Sequence, residues 1–330
     1  MVNNMSVQQY KVNSREYSTR RPPLDTPKIF PNKNYLFELP YLAVMTVKGE
    51  PAGDFLQGQL SCDVREVDDK TMRHGALCNL KGRVLALLDV VKWHGYQLIL
   101  PKDLLEDTQS SLAKVALVSR VSLHQNLSCK VYGFLLSNDN DLQPDNLTLS
   151  TDAFSVTSNE SVCAYSLGDN FYLLLVTTEK APSLMESFSL KEQLLYSLEW
   201  HHLQLERLRI EIYPQTRAVF LPHRVDLHKS AYLNFNKGCY KGQEIIARTH
   251  YRAKLKHGLF KFIIHTKEML TAGMKIFNLT NDAELGELID FSPLSADNYL
   301  IAISIVLEHP TSVIFEGHSI PILLTAISEG

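Results

Sequence analysis

The amino-acid sequence predicts an α+β protein that ends in a small β-barrel or sandwich. Residues 84–91 are almost wholly apolar and residues 96–100 alternate before Pro101, a pattern typical of strands covered by helices. Residues 103–118 instead place apolar side chains on one helical stripe. After about residue 254 the chain changes to short β-type runs separated by Gly, Asn, Asp and Pro, which favours an antiparallel barrel or sandwich.

The sequence also predicts two further helices, one further strand and one polar region. Asp54 can cap a short helix, and residues 171–176 have strand character. Residues 194–208 repeat leucine at helical spacing and predict the clearest helix of the chain. Residues 137–161 are rich in Asn, Asp, Ser and Thr, which indicates surface loops or a weak sheet edge.

Length and charge limit the possible functions. With 330 residues, 45% of them hydrophobic, the chain can build more than one core. The net charge is 33 − 36 = −3, so no global positive field would hold the protein on nucleic acid or an anionic membrane. The longest mostly apolar run, residues 299–307, is about half the length of a membrane-spanning helix. We therefore expect a cytoplasmic protein without membrane contact.

The N-terminal segment looks unstructured in the sequence. Its first thirty residues are polar and lack the apolar stretch of a secretory signal. Arginines such as Arg15, Arg20 and Arg21 leave a weak mitochondrial transit peptide as an alternative. We predict a flexible tail over residues 1–33.

Cysteines and histidines show no metal motif, and we predict no metal site. The five cysteines are dispersed, with no Cys-x-x-Cys pair, which argues against a disulfide framework or structural zinc. These cysteines are Cys62, Cys78, Cys129, Cys163 and Cys239. The histidine pairs are interpreted as structural or exposed, because ligand sets need several converging side chains. They are His201 with His202, and His223 with His228.

One cysteine lies between two glycines in a segment that we call the cysteine loop, residues 237–244. The loop consists of Lys237, Gly238, Cys239, Tyr240, Lys241, Gly242, Gln243 and Glu244. Residues 243–250 are predicted to form a helix, so the helix N-terminus and both lysines would favour a thiolate at Cys239. A lone cysteine is more often a small buried apolar residue, but the glycines and lysines favour a functional thiol here. One cysteine cannot hold an iron–sulfur cluster alone, because clusters usually have four protein ligands.

Residues 237–256 also carry six basic side chains against Glu244 alone, a local charge of +5. The basic residues are Lys237, Lys241, Arg248, Arg252, Lys254 and Lys256. This patch could receive an anion such as the glutamate tail of a folate, a pyrophosphate or RNA, and a solvated helix face is the alternative. Phosphate-binding, dinucleotide-binding, nucleophile-elbow and zinc-protease motifs are absent from the sequence.

The residues 237–248, K-G-C-Y-K-G-Q-E-I-I-A-R, resemble the signature of the YgfZ family, which is related to the T-protein of the glycine cleavage system. Residues 55–64 look like the N-terminal block of that family, and residues 79–83 look like the start of its next strand. Residues 209–211 stand where the wider superfamily has an Arg-x-Glu turn. The resemblance covers about residues 35–330.

The resemblance implies a three-domain ring of the T-protein type around an opening that admits tetrahydrofolate or a one-carbon derivative. Residues 34–250 would form two interlocked α+β subdomains that bind the folate, with the cysteine loop facing the opening. Residues 251–330 would form the C-terminal antiparallel β-barrel.

The resemblance also implies which residues bind the cofactor. Glu211 is a sensible anchor because a carboxylate can accept paired N–H donors from a pterin, and Arg209 precedes it. Arg248 and Arg252 are the other expected cofactor residues. The alternative for Glu211 is a helix-end carboxylate paired with Arg207 or Arg209.

The resemblance implies a folate-binding accessory protein that supports assembly or repair of iron–sulfur enzymes through Cys239. Its partners would be client enzymes such as tRNA-modifying radical enzymes, and we expect a monomer. A folate-dependent aminomethyl or one-carbon transferase is the first alternative. Ala86 and Leu87 stand where the T-protein has its acid, and Asp89 could face the opposite side of its strand, so we expect a non-enzyme. A direct tRNA-binding module is the second alternative, although nucleic-acid binding should be weak or absent.

Overall fold

The computed structural model describes residues 7–20 and 29–327. Within these ranges the α-helices are α1 (Ala52–Gln59), α2 (Leu105–Val118), α3 (Ala181–Leu190), α4 (Ser197–Leu205) and α5 (Gln243–Arg252). The strands are β1 (Gln8–Val12), β2 (Arg15–Thr19), β3 (Tyr35–Glu38), β4 (Leu42–Lys48), β5 (Arg73–Cys78), β6 (Val84–Lys92), β7 (Tyr96–Pro101), β8 (Ser122–Gln125), β9 (Cys129–Leu135), β10 (Val156–Ser158), β11 (Val162–Gly168), β12 (Phe171–Thr177), β13 (Leu194–Leu195), β14 (His257–His265), β15 (Lys275–Phe277), β16 (Glu284–Pro293), β17 (Asn298–Val306), β18 (Ser312–Phe315), β19 (Ile322–Leu323) and β20 (Thr325–Ala326).

Two large sheets precede the C-terminal region, beside the two-stranded sheet of β1 and β2. The first has five antiparallel strands in the order β5-β6-β7-β4-β8. Eight of the nine residues of β6 are buried, which explains its nearly continuous apolar sequence. The second sheet has six strands in the order β10-β11-β12-β9-β3-β13, and the short pairing of β13 with β3 is parallel. The predicted strands β6 and β7 and the predicted helix α2 are confirmed.

The C-terminal strands form a seven-stranded sheet in the order β19-β18-β15-β16-β17-β14-β20. Its strands pair antiparallel, and β14 and β17 are in register along their whole length. The sheet is nearly closed and barrel-like, which confirms the predicted α+β fold with a C-terminal barrel. The predicted domain boundary at residues 250 and 251 falls inside α5.

The prediction of a flexible tail over residues 1–33 is wrong for residues 7–20. Strands β1 and β2 form a hairpin in which Tyr17 is fully buried. The backbone N–H of Ser18 donates to Ser197 Oγ at 2.8 Å, so the hairpin is attached to α4. Buried aromatic surface and long-range hydrogen bonds hold this segment in place. Residues 1–6 and 21–28 lie outside the described residues.

Two predicted helices differ in their ends. The helix expected over residues 194–208 begins only at Ser197, because Leu194–Leu195 pairs with β3 as a strand. It ends before Leu208, whose positive φ of 55° is incompatible with a right-handed helix. Asp54 lies inside the first turn of α1 and Pro51 holds the cap position, so Asp54 is not the cap. None of the helices described is long and apolar enough to cross a membrane.

Candidate functional site

A cavity of about 520 Å³ lies where the three large sheets meet. Asp89 of β6, Leu173 of β12 and Leu259 of β14 each contribute to its wall. Trp200 of α4 adds an aromatic surface. The volume is in the range of small-molecule sites, and the wall combines apolar, aromatic and charged groups.

Asp89 and His74 together form one polar part of this wall. The pairing of β5 with β6 places the two residues opposite each other, and His74 Nδ1 lies 2.5 Å from Asp89 Oδ1. The hydroxyl of Tyr165 donates to Asp89 Oδ2 at 3.1 Å. Burial raises the pKa of Tyr165 well above its usual value, and the nearby Asp89 charge adds to the rise, so the phenol keeps its proton. The ring of Tyr232 stacks on His74, with centroids 5.0 Å apart.

This arrangement decides the orientation of Asp89, which the sequence left undetermined. Asp89 lines the cavity together with Leu87 and Leu88, and its strand pairing sets it opposite His74, which also lines the cavity. Asp89 therefore faces the cavity two residues after Leu87, which stands where the T-protein has its acid. Both the facing of Asp89 and its contact with His74 become recognisable only from the strand register.

Glu211 also lines the cavity, but its partner is not the expected one. Arg15 Nη1 donates to Glu211 Oε2 at 3.0 Å, and the hydroxyl of Tyr41 donates to Oε1 at 3.2 Å. Burial raises the pKa of Glu211, and the charge of Arg15 opposes that effect. The alternative pairing of Glu211 with Arg207 or Arg209 is wrong, because the N-terminal hairpin supplies the cation.

Arg15 is itself almost fully buried, with 3% of its surface exposed. Its Nε and Nη2 donate to both carboxylate oxygens of Asp103 at 3.1 and 2.8 Å. Nη2 also donates to the carbonyl oxygen of Ile212 at 2.7 Å. The guanidinium lies over the ring of Tyr213, 4.5 Å from its centroid. Arg15 therefore fixes the turn that carries Glu211.

Arg209 lines the cavity, whereas two other residues predicted to bind the cofactor do not. Arg209 donates to Gln204 Oε1 at 3.0 Å and to the carbonyl oxygen of Leu167 at 2.6 Å. Arg248 and Arg252 are exposed on α5 and do not belong to the described cavity wall. The structure thus brings Glu211 and Arg209 together and leaves the other two arginines on the surface.

The cysteine loop is anchored by Lys237, whose exposed fraction is only 5%. Its ammonium donates to the carbonyl oxygens of Gln57, Leu60 and Cys62 at 2.6–2.7 Å. Burial lowers the pKa of Lys237 to about 8, with smaller opposing effects of neighbouring charges. Since three backbone carbonyls occupy its three protons, Lys237 holds the loop in place rather than pointing its charge at the thiol.

Glycine and tyrosine complete the attachment of the loop. Gly242 has a positive φ of 87° just before α5, and a Cβ there would lie 2.4 Å from the carbonyl oxygen of Asn79. Tyr240 is buried and Lys241 donates its backbone N–H to the carbonyl of Gly58 at 3.1 Å. Gln243 begins α5, Glu244 is exposed, and a Cβ at Gly238 would meet open space.

Cys239 is exposed, whereas the other cysteines are buried or half-buried. Burial raises the pKa of Cys62, Cys78 and Cys163 to about 12 and that of Cys129 to about 11. The buried thiols therefore stay protonated and unreactive at neutral pH. Cys239 is left as the accessible thiol of the five.

Cys239 lies seven positions after Tyr232, which is part of the cavity wall. Ser61 ties this segment down, because its Oγ donates to the carbonyl oxygen of Tyr232 at 2.6 Å and its carbonyl accepts from the N–H of Asn234 at 3.0 Å. Cys239 is not part of the cavity wall as described. The thiol thus opens to solvent, and the expected facing of the cysteine loop towards the cavity is not seen, because no residue of the loop belongs to the described wall. In the described part of the chain, no three His, Cys, Asp or Glu side chains stand ready as metal ligands.

The fold places the chain among proteins shaped like the glycine cleavage T-protein. The solved structure of the glycine cleavage system aminomethyltransferase T from Bartonella henselae matches with a TM-score of 0.65 and 12% identity. The match covers 98% of this chain and 94% of that protein, and it shows a shared fold.

Curated relatives carry the name tRNA-modifying protein YgfZ. The Vibrio atlanticus protein is 29% identical over 215 residues, which is 65% of this chain and 65% of the relative's own length. The Yersinia pseudotuberculosis protein is 27% identical over 242 residues, or 72% of this chain and 73% of the relative. No family model matches the chain. The predicted resemblance to YgfZ proteins is confirmed.

Proposed function

We propose that this chain is a tetrahydrofolate-binding accessory protein for tRNA modification that supports the assembly or repair of iron–sulfur enzymes through Cys239. The observation that carries the proposal is the exposed thiol of an anchored loop whose preceding segment, at Tyr232, lines a ligand-sized cavity. The name of the curated relatives supports the link to tRNA modification. The aminomethyltransferase fold supports the choice of a folate.

The cavity suits a flat heterocycle that carries N–H donors and a negatively charged tail. Trp200 and Tyr232 offer aromatic surface, and the carboxylates of Asp89 and Glu211 offer acceptor oxygens. Each oxygen has a second lone pair beyond its protein partner. Arg209 supplies a cation for a carboxylate of the ligand.

The exposure of Cys239 supports its reaction with a client. A thiol that partner molecules can reach is able to donate one ligand to a cluster, and the client would supply the others. The buried cysteines cannot take over this role without local unfolding. Client enzymes and a one-carbon form of the folate are parts of the proposal, and direct contact with RNA is not needed for it.

Two experiments separate the two halves of the proposal. Calorimetry should show tetrahydrofolate binding to the wild type and to Cys239→Ala, and weaker binding to Asp89→Asn. Cys239→Ala should fail to restore tRNA methylthiolation in a strain that lacks its own YgfZ protein, whereas Cys129→Ala should restore it. If the protein does not bind tetrahydrofolate at millimolar concentration, the proposed cofactor is wrong. If Cys239→Ala restores tRNA methylthiolation, the proposed role of the thiol is wrong.

The pair of Asp89 and His74 favours one second candidate, a folate-dependent one-carbon transferase. A carboxylate hydrogen-bonded to an imidazole inside a cavity is able to move a proton. An assay of aminomethyl transfer to tetrahydrofolate tests this candidate. Turnover that Asp89→Asn abolishes and Cys239→Ala preserves would establish the transferase over the accessory protein.

A further inference from the structure

A buried carboxylate of the C-terminal barrel contacts the turn that carries Glu211. Asp290 belongs to β16, is fully buried and is not part of the described cavity wall. The pairing of β16 with β17 shifts its register between Leu288 and Asp290, so Ile289 is an extra residue in β16. Such a bulge changes the direction of the side chains next to it. The irregular point of this strand is therefore the point that reaches the Glu211 turn.

Four groups donate hydrogen bonds to the Asp290 carboxylate. His201 Nε2 lies 3.1 and 3.2 Å from its two oxygens, and the hydroxyl of Tyr213 donates to Oδ1 at 2.6 Å. The backbone N–H groups of Phe291 and Glu211 donate to Oδ1 and Oδ2 at 2.8 and 2.9 Å. Because a carboxylate only accepts hydrogen bonds, His201 Nε2 carries the proton of its contact. A buried carboxylate with four donors is satisfied and fixed in one orientation.

The donors around Asp290 are themselves held in place. His201 is only 1% exposed, and the ring of Tyr17 stacks on it with centroids 4.6 Å apart. Tyr213 is fully buried. Burial raises the pKa of Tyr213 well above its usual value, and the charge of Asp290 adds to the rise, so the phenol keeps the proton that it donates. The N-terminal hairpin, α4 and the barrel therefore meet at this carboxylate.

The turn at Glu211 is thus held from two sides. Asp290 accepts a hydrogen bond from its N–H, whereas Arg15 donates to the carbonyl oxygen of Ile212 at 2.7 Å and to Glu211 Oε2 at 3.0 Å. The Glu211 side chain is 20% exposed and lines the cavity. Arg15 orients the carboxylate of Glu211 directly, and Asp290 fixes the backbone from which that side chain projects.

We propose that Asp290 is a positioning residue for the cavity, which holds the N–H of Glu211 and so presents the Glu211 carboxylate to the N–H donors of a bound heterocycle. This inference rests on the proposed function, in which Glu211 accepts hydrogen bonds from the ligand. Binding groups need support within about 0.5 Å of their productive geometry. Strand β16 contributes no residue to the described wall, yet through Asp290 it takes part in ligand affinity.

A double-mutant cycle with the full chain tests the role of Asp290. Calorimetry measures tetrahydrofolate binding to the wild type, Asp290→Asn, Glu211→Gln and the double variant. Asp290→Asn turns one acceptor oxygen into an amide donor, and it should weaken binding by at least about tenfold in the wild-type background. In the Glu211→Gln background the same change should weaken binding by less than about twofold, because the carboxylate on which Asp290 acts is gone. Equal factors in the two backgrounds overturn the proposal, since Asp290 then acts on the fold alone.

Two further variants keep this cycle decisive. Ser292→Ala is the matched control on the same strand, because Ser292 is also fully buried but its hydroxyl has no hydrogen-bond partner among the described residues. It should bind tetrahydrofolate like the wild type. If circular dichroism shows that Asp290→Asn is unfolded, the cycle is run with Tyr213→Phe, which removes one donor to Asp290 and keeps the ring under Arg15. The same comparison of the two backgrounds then decides.

A measurement without folate separates this inference from the proposed function. Burial raises the pKa of Glu211 and the charge of Asp290 adds to the rise, while Arg15 opposes it. Asp290→Asn should therefore lower the pKa of Glu211, which carboxyl ¹³C NMR follows with Glu211→Gln to assign the signal. The other charged groups around Glu211 are Asp103 and His201, and burial keeps the nearby phenols protonated by raising their pKa values. These phenols are Tyr17, Tyr41, Tyr213 and Tyr232.

This titration decides even if the wild type binds no tetrahydrofolate. A lowered pKa of Glu211 in Asp290→Asn then shows that Asp290 acts on Glu211 and that only the folate is wrong. An unchanged pKa overturns the inference, whether or not the protein binds folate.

Discussion

Arg15 and Glu211 lie 196 residues apart in the chain and form an ion pair with a nitrogen–oxygen distance of 3.0 Å. Only 2% of the Arg15 side chain and 20% of the Glu211 side chain are exposed. The same guanidinium holds Asp103, so two carboxylates depend on one cation. Removing one member of a buried pair leaves uncompensated charge, which makes this contact a sensitive point of the fold.

We expect Arg15→Met to lower the free energy of unfolding by about 3–5 kcal/mol, because Glu211 and Asp103 then lose their shared cation. Urea denaturation measures the change. Lys11→Met is the matched control on the same hairpin, where an exposed pair with Glu16 should contribute less than about 1 kcal/mol. Equal losses in the two variants would show that Arg15 is not the anchor.

Lys237→Met should lower the free energy of unfolding by about 1.5–3 kcal/mol, because three carbonyl oxygens lose a charged donor. Lys241→Met, in the same loop, should have a smaller effect. Denaturation is compared with the rate at which Cys239 reacts with a thiol reagent. A slower thiol reaction at unchanged stability would favour the view that Lys237 acts directly on Cys239.

Gly133→Ala should destabilise the protein by about 1–3 kcal/mol, because the new Cβ would lie 2.4 Å from the indole ring of Trp200. Trp200 lines the cavity, so ligand binding should weaken as well. Thermal unfolding and calorimetry provide the two measurements. Gly58→Ala is the control, since its Cβ meets nothing within 4 Å and a helical alanine is favourable. A stable Gly133→Ala variant would disprove the close packing.

Asp145→Asn should make the protein less sensitive to acid. Hydrogen bonds from Lys180 and then from Asn159 lower the pKa of Asp145 below its usual value. The unfolded chain therefore takes up more protons as the pH falls through about 4, and the stabilisation present above that pH is lost. Denaturation midpoints between pH 7 and 3 should fall less steeply in the variant. Identical pH profiles would contradict this linkage.

Local patterns were sufficient to predict β6, α2 and the cysteine loop, because runs of apolar residues and closely spaced glycines act over short distances. The hairpin of residues 7–20 escaped prediction because the partners of Arg15 lie 88 and 196 residues away. A polar, arginine-containing segment looks flexible until a distant pair of carboxylates is known.

The candidate site shows the same limit. Glu211 and Arg209 could be proposed from their family motif, but the facing of Asp89 needed the strand register with His74. The sequence predicts that the charge of Lys237 acts on the thiol of Cys239. The structure shows instead that three backbone carbonyls surround the Lys237 ammonium, which the sequence does not reveal.

The long reach of the N-terminal hairpin sets an order for biosynthesis. Arg15 leaves the ribosome long before Asp103 and Glu211 are made, and translation adds residues at about 5–20 per second. The hairpin therefore cannot dock until the later segments have emerged, and its arginine stays in water until then. The ion pair that orients Glu211 therefore cannot form until 196 further residues have been added after Arg15.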